Sequence, residues 1–113
     1  MTIQRLQSNR RMSQAVIHGD TIYLAGQVGD GPTVADQTKD ALAEIEALLK
    51  VAGSDKSKIL SATIWLASMD DFDEMNSVWD LWVDGQDPPA RATGEARLAA
   101  PQYLVEIIVI AAR

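Results

Sequence analysis

Arginine and glutamate are the residue types in this chain whose positions most strongly suggest chemistry. Arg91 follows the pair Pro88-Pro89, and Glu106 lies inside the apolar run 105–111 near the end of the sequence. A guanidinium held where a rigid turn meets a strand can bind a carboxylate through two parallel hydrogen bonds. A carboxylate inside an apolar strand is expected to be partly buried, where it needs a partner or a chemical role. Arg91 and Glu106 are therefore the first candidates for a site.

The composition of the chain narrows the classes of protein to which it could belong. Its 113 residues, of which 47% are hydrophobic, suffice for one domain over residues 1–113 and leave no room for a second. The net charge of -6 disfavours nucleic acid as a partner. With no cysteine and one histidine, we expect no disulfide bond, no thiolate nucleophile and no protein-held transition metal. No apolar run has the length of a membrane span or a signal peptide, so we expect a cytoplasmic protein that does not contact a membrane.

The spacing of apolar residues predicts a β-β-α-β-α-β-β order, preceded by a short edge strand over residues 3–6. Gly53 is expected to end the first helix in a left-handed conformation, and Asp70 and Asp71 are candidates to cap the second. The predicted segments are hairpin strands 15–18 and 21–26, a helix over 34–52, a strand over 59–66, a helix over 72–83, and strands 92–98 and 105–111.

These elements predict an α+β fold with one mixed β-sheet and both helices packed on one face. The apolar strand residues are too numerous for all of them to point at two helices. We therefore expect a second copy of the chain to cover the other face of the sheet. The residues from which this prediction is made are Leu24, Ile64, Leu66, Ile107 and Val109.

Several short motifs, together with the order of elements, resemble the Rid (YjgF-like) reactive intermediate deaminase family over nearly the whole chain. The resemblance implies a chorismate-mutase-like protomer that forms a homotrimer with binding clefts between subunits. It also implies hydrolysis of 2-imino acids, such as the 2-iminopropanoate formed from 2-aminoacrylate, to 2-oxo acids and ammonia without a metal or cofactor. The motifs are Ser13-Gln14-Ala15-Val16, Gly26-Gln27, Ala52-Gly53-Ser54, Met75-Asn76, Pro89-Ala90-Arg91 and Val105-Glu106-Ile107.

The same resemblance implies roles for individual residues. Arg91 would bind the carboxylate of a small 2-imino or 2-oxo acid, and Glu106 would position the attacking water. Two positions depart from the family pattern. Met12 stands where typical members carry the tyrosine of a Gly-Pro-Tyr motif, and Thr93 stands where many carry cysteine. The remaining residues expected to border the pocket are Gly26 and Asn76.

Other interpretations of these residues remain open at this point. One alternative for Arg91 is an interface salt bridge, with Glu106 as a candidate partner, and the alternatives for Glu106 are a solvent-facing position or a pair with Arg97. Asn76 could be a solvated helix residue. The whole chain could be a non-catalytic trimer that binds 2-oxo acids, an alternative favoured by Met12. Ribonuclease activity, attributed to some relatives, is disfavoured by the net charge and the absence of a basic stripe.

Overall fold

The structure is a computed structural model that describes residues 1–113. It contains β1 (Ile3–Ser8), β2 (Ser13–His18), β3 (Thr21–Leu24), α1 (Val34–Val51), β4 (Ile59–Leu66), α2 (Phe72–Trp82), β5 (Ala90–Glu95) and β6 (Val105–Ala112). The six strands form one sheet in the order β1-β2-β3-β6-β4-β5, in which β5 is parallel to β4 and all other neighbours are antiparallel. The predicted α+β class, with one mixed sheet and two packed helices, is confirmed. No helix is both long enough and apolar enough to cross a membrane.

Helix α1 begins and ends at residues whose chemistry favours those boundaries. The Thr33 side chain accepts a hydrogen bond from the Asp36 backbone N–H, which satisfies one of the free donors of the first turn. After the helix, Gly53 adopts a φ of 85°, and the Ser54 N–H donates to the Leu49 carbonyl oxygen. This is the left-handed glycine ending that the sequence predicts, because glycine adopts positive φ without steric cost.

Helix α2 begins at Phe72, as the sequence predicts, but a short 3₁₀ turn precedes it. Asp71 occupies the N-cap position, but its side chain makes no capping hydrogen bond, because its backbone is already folded into a preceding 3₁₀ turn over Met69–Asp71. The cap acts one turn earlier, where the Ser68 Oγ accepts from the Asp70 N–H at 3.1 Å. The prediction of Asp71 as the N-cap residue is therefore confirmed, although its side chain makes no capping hydrogen bond.

Along β4 and β6, successive side chains point to opposite faces of the sheet. One face is buried under the helices. The other face has no helices on it, and we call it the open face. All five apolar residues from which self-association was predicted lie on the buried face, so that part of the reasoning is wrong. The open face still carries apolar side chains, including Tyr23 and Trp65, whose residues are 47% and 36% exposed. The apolar side chains of the central strands on this face are Val16, Tyr23, Trp65, Ile108 and Ile110.

The bounds of the last two strands, β5 and β6, depend on contacts with other parts of the chain. Strand β5 starts at Ala90 and ends at Glu95, earlier than the predicted 92–98, because its parallel partner β4 ends at Leu66. The segment before β6 is tied to α1 by the buried Gln37, whose Nε2 donates to the Gln102 carbonyl oxygen and whose Oε1 accepts from the Leu104 N–H. These bonds fix the point at which β6, and with it Glu106, begins.

Candidate functional site

Arg91 lies on edge strand β5 and is held by two side chains of α2. Its Nη1 donates a hydrogen bond of 2.7 Å to the Asn76 Oδ1, and its guanidinium carbon lies 5.2 Å from the centroid of the Trp79 ring. Asn76 and Trp79 are three residues apart on the helix, so they project from the same side of α2. The guanidinium is thereby held in one orientation by a neutral acceptor and an aromatic face.

The charge of Arg91 has no counterion within the protomer. The single ion pair of the chain joins the Lys56 Nζ to the Glu46 Oε1 at 3.7 Å, and it involves neither Arg91 nor Glu106. A guanidinium has five N–H donors, of which Asn76 uses one. Because Arg91 is half-buried and uncompensated, its remaining donors are suited to bind an anion in two-pronged geometry.

Thr93 lies two residues beyond Arg91 on β5 and on the same side of the sheet. Arg91 is in register with Ala62 of β4, and Thr93 with Ile64, both of which belong to the buried face. The Thr93 Oγ1 is buried and has no hydrogen-bond partner in the chain. Arg91, Asn76 and Thr93 therefore form one group on the helix-facing side of the sheet edge, and this group includes a hydroxyl free to bond.

Glu106 lies on the open face and is packed against Gly26. A Cβ added at Gly26 would lie 2.8 Å from the Glu106 Cδ and 2.9 Å from its Oε2, so glycine at this position lets the carboxylate keep its present place. Glu106 is half-buried and makes no side-chain hydrogen bond or ion pair within the protomer. Two predicted site residues, Gly26 and Glu106, are thus brought together with the carboxylate oxygens free.

Arg91 and Glu106 do not meet within one protomer. They face opposite sides of the sheet, and their backbones are separated by two strand spacings and three residues along the strands, or about 14 Å. A salt bridge between them in one chain is therefore excluded, and Glu106 is not paired with Arg97 either.

Met12 lies in the turn between β1 and β2, where the Asn9 Oδ1 accepts from the Met12 N–H at 3.0 Å. Because β2 begins where β3 ends, Met12 lies at the same end of the hairpin as Gly26. Four strand spacings, or about 19 Å, separate this hairpin strand from β5. Within one protomer Met12 therefore cannot share a pocket with Arg91.

The structure adds site neighbours that the sequence interpretation did not identify. Trp79, which is 5% exposed, belongs to the core as expected and also supports Arg91. Its spacing of three from Asn76 is a signal that could have indicated this contact. Trp65, whose backbone is in register with Glu106, lies over Gly94, and a glycine inside a strand often marks such a close approach.

The chain contains no group of three or more His, Asp or Glu side chains placed to hold a metal ion. The functional groups of the candidate site are a guanidinium, a hydroxyl, an amide and a carboxylate.

Comparisons with known proteins place the chain in a family. The family described as endoribonuclease L-PSP matches residues 2–113. A RutC family protein of Haemophilus influenzae is 47% identical over 98% of each chain. The 2-iminobutanoate/2-iminopropanoate deaminase of Rattus norvegicus is 34% identical over 88% of this chain and 77% of its own.

The fold is also that of solved structures. The crystal structure of NMB1025, a member of the YjgF protein family from Neisseria meningitidis, superposes with a TM-score of 0.99 at 46% identity and covers 100% of this chain and 96% of its own. A second member of that family, Rv2704 from Mycobacterium tuberculosis, gives a TM-score of 0.92 at 28% identity over 99% and 100% of the two chains. The motifs, the sheet order and these matches together show that the chain belongs to the YjgF family, whose sequence profile is described as endoribonuclease L-PSP.

Proposed function

We propose that the chain is an enamine/imine deaminase that hydrolyses 2-imino acids to 2-oxo acids and ammonia. The observation that carries the proposal is the half-buried guanidinium of Arg91, oriented by Asn76 and Trp79 but lacking any carboxylate counterion. Such a group is built to receive an anionic ligand. A relative whose name gives it as a 2-iminobutanoate/2-iminopropanoate deaminase supports the choice of ligand.

The reaction needs a bound carboxylate, a water aimed at the imine carbon and a path for protons. Arg91 binds the substrate carboxylate through two hydrogen bonds and so fixes the position of the C=N bond beside it. Glu106 accepts a proton from the water as the oxygen attacks the carbon of the protonated imine, which gives a neutral carbinolamine. Glu106 then returns that proton to the nitrogen, the C–N bond breaks as ammonia leaves, and the hydroxyl group loses its proton to solvent as the C=O bond forms. General-base assistance of this kind contributes about 10² to 10⁴ in rate.

Because Arg91 and Glu106 face opposite sides of one sheet, the proposed site requires two subunits. A homotrimer with clefts between subunits brings the β5 edge of one copy against the open face of the next. The apolar side chains of that face, Tyr23 and Trp65 among them, supply the surface that such an assembly buries. The two unpaired groups, one cationic and one anionic, then lie on either side of the same cleft.

The activity is tested with freshly generated 2-iminopropanoate, by following the release of 2-oxo acid and ammonia against the spontaneous rate. We expect turnover by the wild type and a fall of about 10³ in kcat for Glu106→Gln, with little change in the binding of 2-oxo acids. Glu95→Gln is a control because that carboxylate binds the Met69 N–H instead. A wild-type rate equal to that of buffer would overturn the proposed function.

The main alternative is a non-catalytic trimer that binds 2-oxo acids through Arg91. Met12 favours it, because a side chain without a hydroxyl stands where typical family members carry a tyrosine. Calorimetry with pyruvate, combined with the hydrolysis assay, distinguishes the two functions. Binding of pyruvate without any imine hydrolysis supports the alternative, and imine hydrolysis excludes it.

The family description also raises RNA cleavage as an activity. The net charge of -6 opposes it, because binding to RNA depends on neutralising phosphates with basic side chains. We expect no cleavage of single-stranded RNA at low salt, where any electrostatic binding would be strongest.

A further inference from the structure

We propose that Trp65 determines which substituent the imino acid can carry. The inference rests on the proposed function, since it takes Glu106 as the residue that positions the attacking water. Trp65 would then be a specificity-determining residue that contacts the substrate beside the reacting carbon, without taking part in the proton transfers.

The placement of Trp65 follows from the register of the two central strands. Trp65 of β4 lies directly opposite Glu106 of β6, and both project from the open face. Side chains paired in this way have Cβ atoms about 4.5 to 5.5 Å apart. A small molecule whose imine carbon lies within reach of a water held by Glu106 is therefore also within reach of the indole, whichever subunit supplies Arg91.

Two glycines give this pair of side chains their directions. The Trp65 ring lies over Gly94 of β5, where an added Cβ would be 3.0 Å from the indole Cζ3. Glu106 extends the opposite way, over Gly26 beyond the end of β3. The indole and the carboxylate thus diverge from neighbouring positions, so a molecule seated between them would meet an apolar group on one side and an anionic group on the other.

An indole wall at this position has a defined chemical consequence. It offers a large rigid apolar surface to an aliphatic substituent and limits the space available to a bulky one. Differences of one methylene in such a pocket change kcat/KM by about 10- to 200-fold. The ligand class is therefore a 2-imino acid with a small aliphatic side chain, and Trp65 is the residue that excludes larger ones.

The test compares 2-imino acids generated in situ from alanine, leucine and phenylalanine by an amino-acid oxidase. The measured quantity is the ratio of kcat/KM for the phenylalanine-derived substrate to that for the alanine-derived one. We expect Trp65→Ala to raise this ratio at least about tenfold and Trp65→Phe to raise it less. Leu81→Ala is the control, because Leu81 is an exposed apolar residue on α2, away from the open face.

Each other outcome has a distinct meaning. An active wild type with the same ratio in Trp65→Ala would overturn the inference and leave the proposed function standing. If the wild type is inactive, the proposed function fails. The inference is then tested by the ratio of the Kd values for the corresponding 2-oxo acids, phenylpyruvate and pyruvate. A Kd ratio that is the same in Trp65→Ala and the wild type overturns the inference. If light scattering shows that Trp65→Ala fails to assemble, the Trp65→Phe chain carries the test, and a ratio unchanged by that variant again overturns the inference.

Discussion

The two halves of the candidate site are built in different ways. On the helix-facing side of the sheet edge, Arg91 is fixed by a 2.7 Å hydrogen bond to Asn76 and by the ring of Trp79. On the open face, Glu106 is positioned by the shape of its surroundings alone, since it packs on Gly26 and makes no hydrogen bond. The cationic half is therefore complete in one protomer, and the anionic half gains its partners only from ligand, water or another subunit.

This difference suggests that the Arg91 half serves ligand binding and the Glu106 half serves the reaction. An oriented guanidinium loses little further entropy when it binds a carboxylate, so the Arg91 half should recognise a ligand with its geometry already set. A carboxylate without fixed hydrogen bonds can accept a proton and return it as the reaction proceeds. Variants in the first half should therefore change ligand binding, and variants in the second should change mainly turnover.

The largest expected effect is that of Arg91→Ala. Loss of two charge-assisted hydrogen bonds, each worth about 1.5 to 3 kcal/mol, should lower kcat/KM by up to about 10⁴ and abolish measurable binding of pyruvate. Steady-state kinetics and calorimetry check this. Arg97→Ala is the matched control, because that exposed arginine lies on the same segment and has no partner. Retention of pyruvate binding in Arg91→Ala would remove the distinction between the two halves.

Mixing two inactive variants tests whether the halves come from different subunits. When Arg91→Ala and Glu106→Gln chains are co-expressed in equal amounts, random trimers should recover about one quarter of the wild-type activity, because most are mixed and each mixed trimer has one intact site of three. Activity of the purified mixture is compared with that of each variant alone. No recovery in mixed trimers confirmed by mass spectrometry would overturn a site shared between neighbouring subunits.

The local elements of the fold were predictable because their signals are local. The hairpin, the bounds of α1 and the left-handed Gly53 each follow from residues within a few positions of one another. The N-cap residue of α2, Asp71, was among those predicted, but the 3₁₀ turn over Met69–Asp71 that precedes the helix was not. The end of β5 was missed because it depends on where β4 ends.

The sequence allowed us to name candidate site residues, but it did not allow us to predict how they are arranged on the sheet. The prediction that Arg91 binds an anion comes from its position after two prolines, but the face on which it lies depends on the parallel register of β5 with β4. A shift of one residue in register exchanges the two faces of a strand, and the sequence of the strand carries no signal for it. The placement of Arg91 and Glu106 on opposite faces therefore emerged only from the sheet.

A smaller effect is expected for Asn76, which orients Arg91. Asn76→Ala should raise KM and the Kd for pyruvate by about tenfold with little change in kcat, since the arginine remains but loses its fixed orientation. The nearly isosteric Asn76→Asp should weaken binding at least as much, because its carboxylate would neutralise the guanidinium. Ser77→Ala is the control, since Ser77 is exposed and donates to the Glu74 carbonyl oxygen. A fall in kcat alone would contradict a positioning role in binding.

The smallest effect is expected for Gly26, the residue beneath Glu106. In Gly26→Ala the new methyl would meet the Glu106 Cδ at 2.8 Å, and the flexible carboxylate should rotate away at little cost in stability. We expect kcat to fall about fivefold while the Kd for pyruvate and the melting temperature stay near wild-type values. Gly85→Ala is the matched control, because nothing lies within 4 Å of the methyl that it adds. If Gly26→Ala weakened pyruvate binding and left kcat unchanged, the open face would be a binding half like the other, and the assignment of Glu106 to the water would fail.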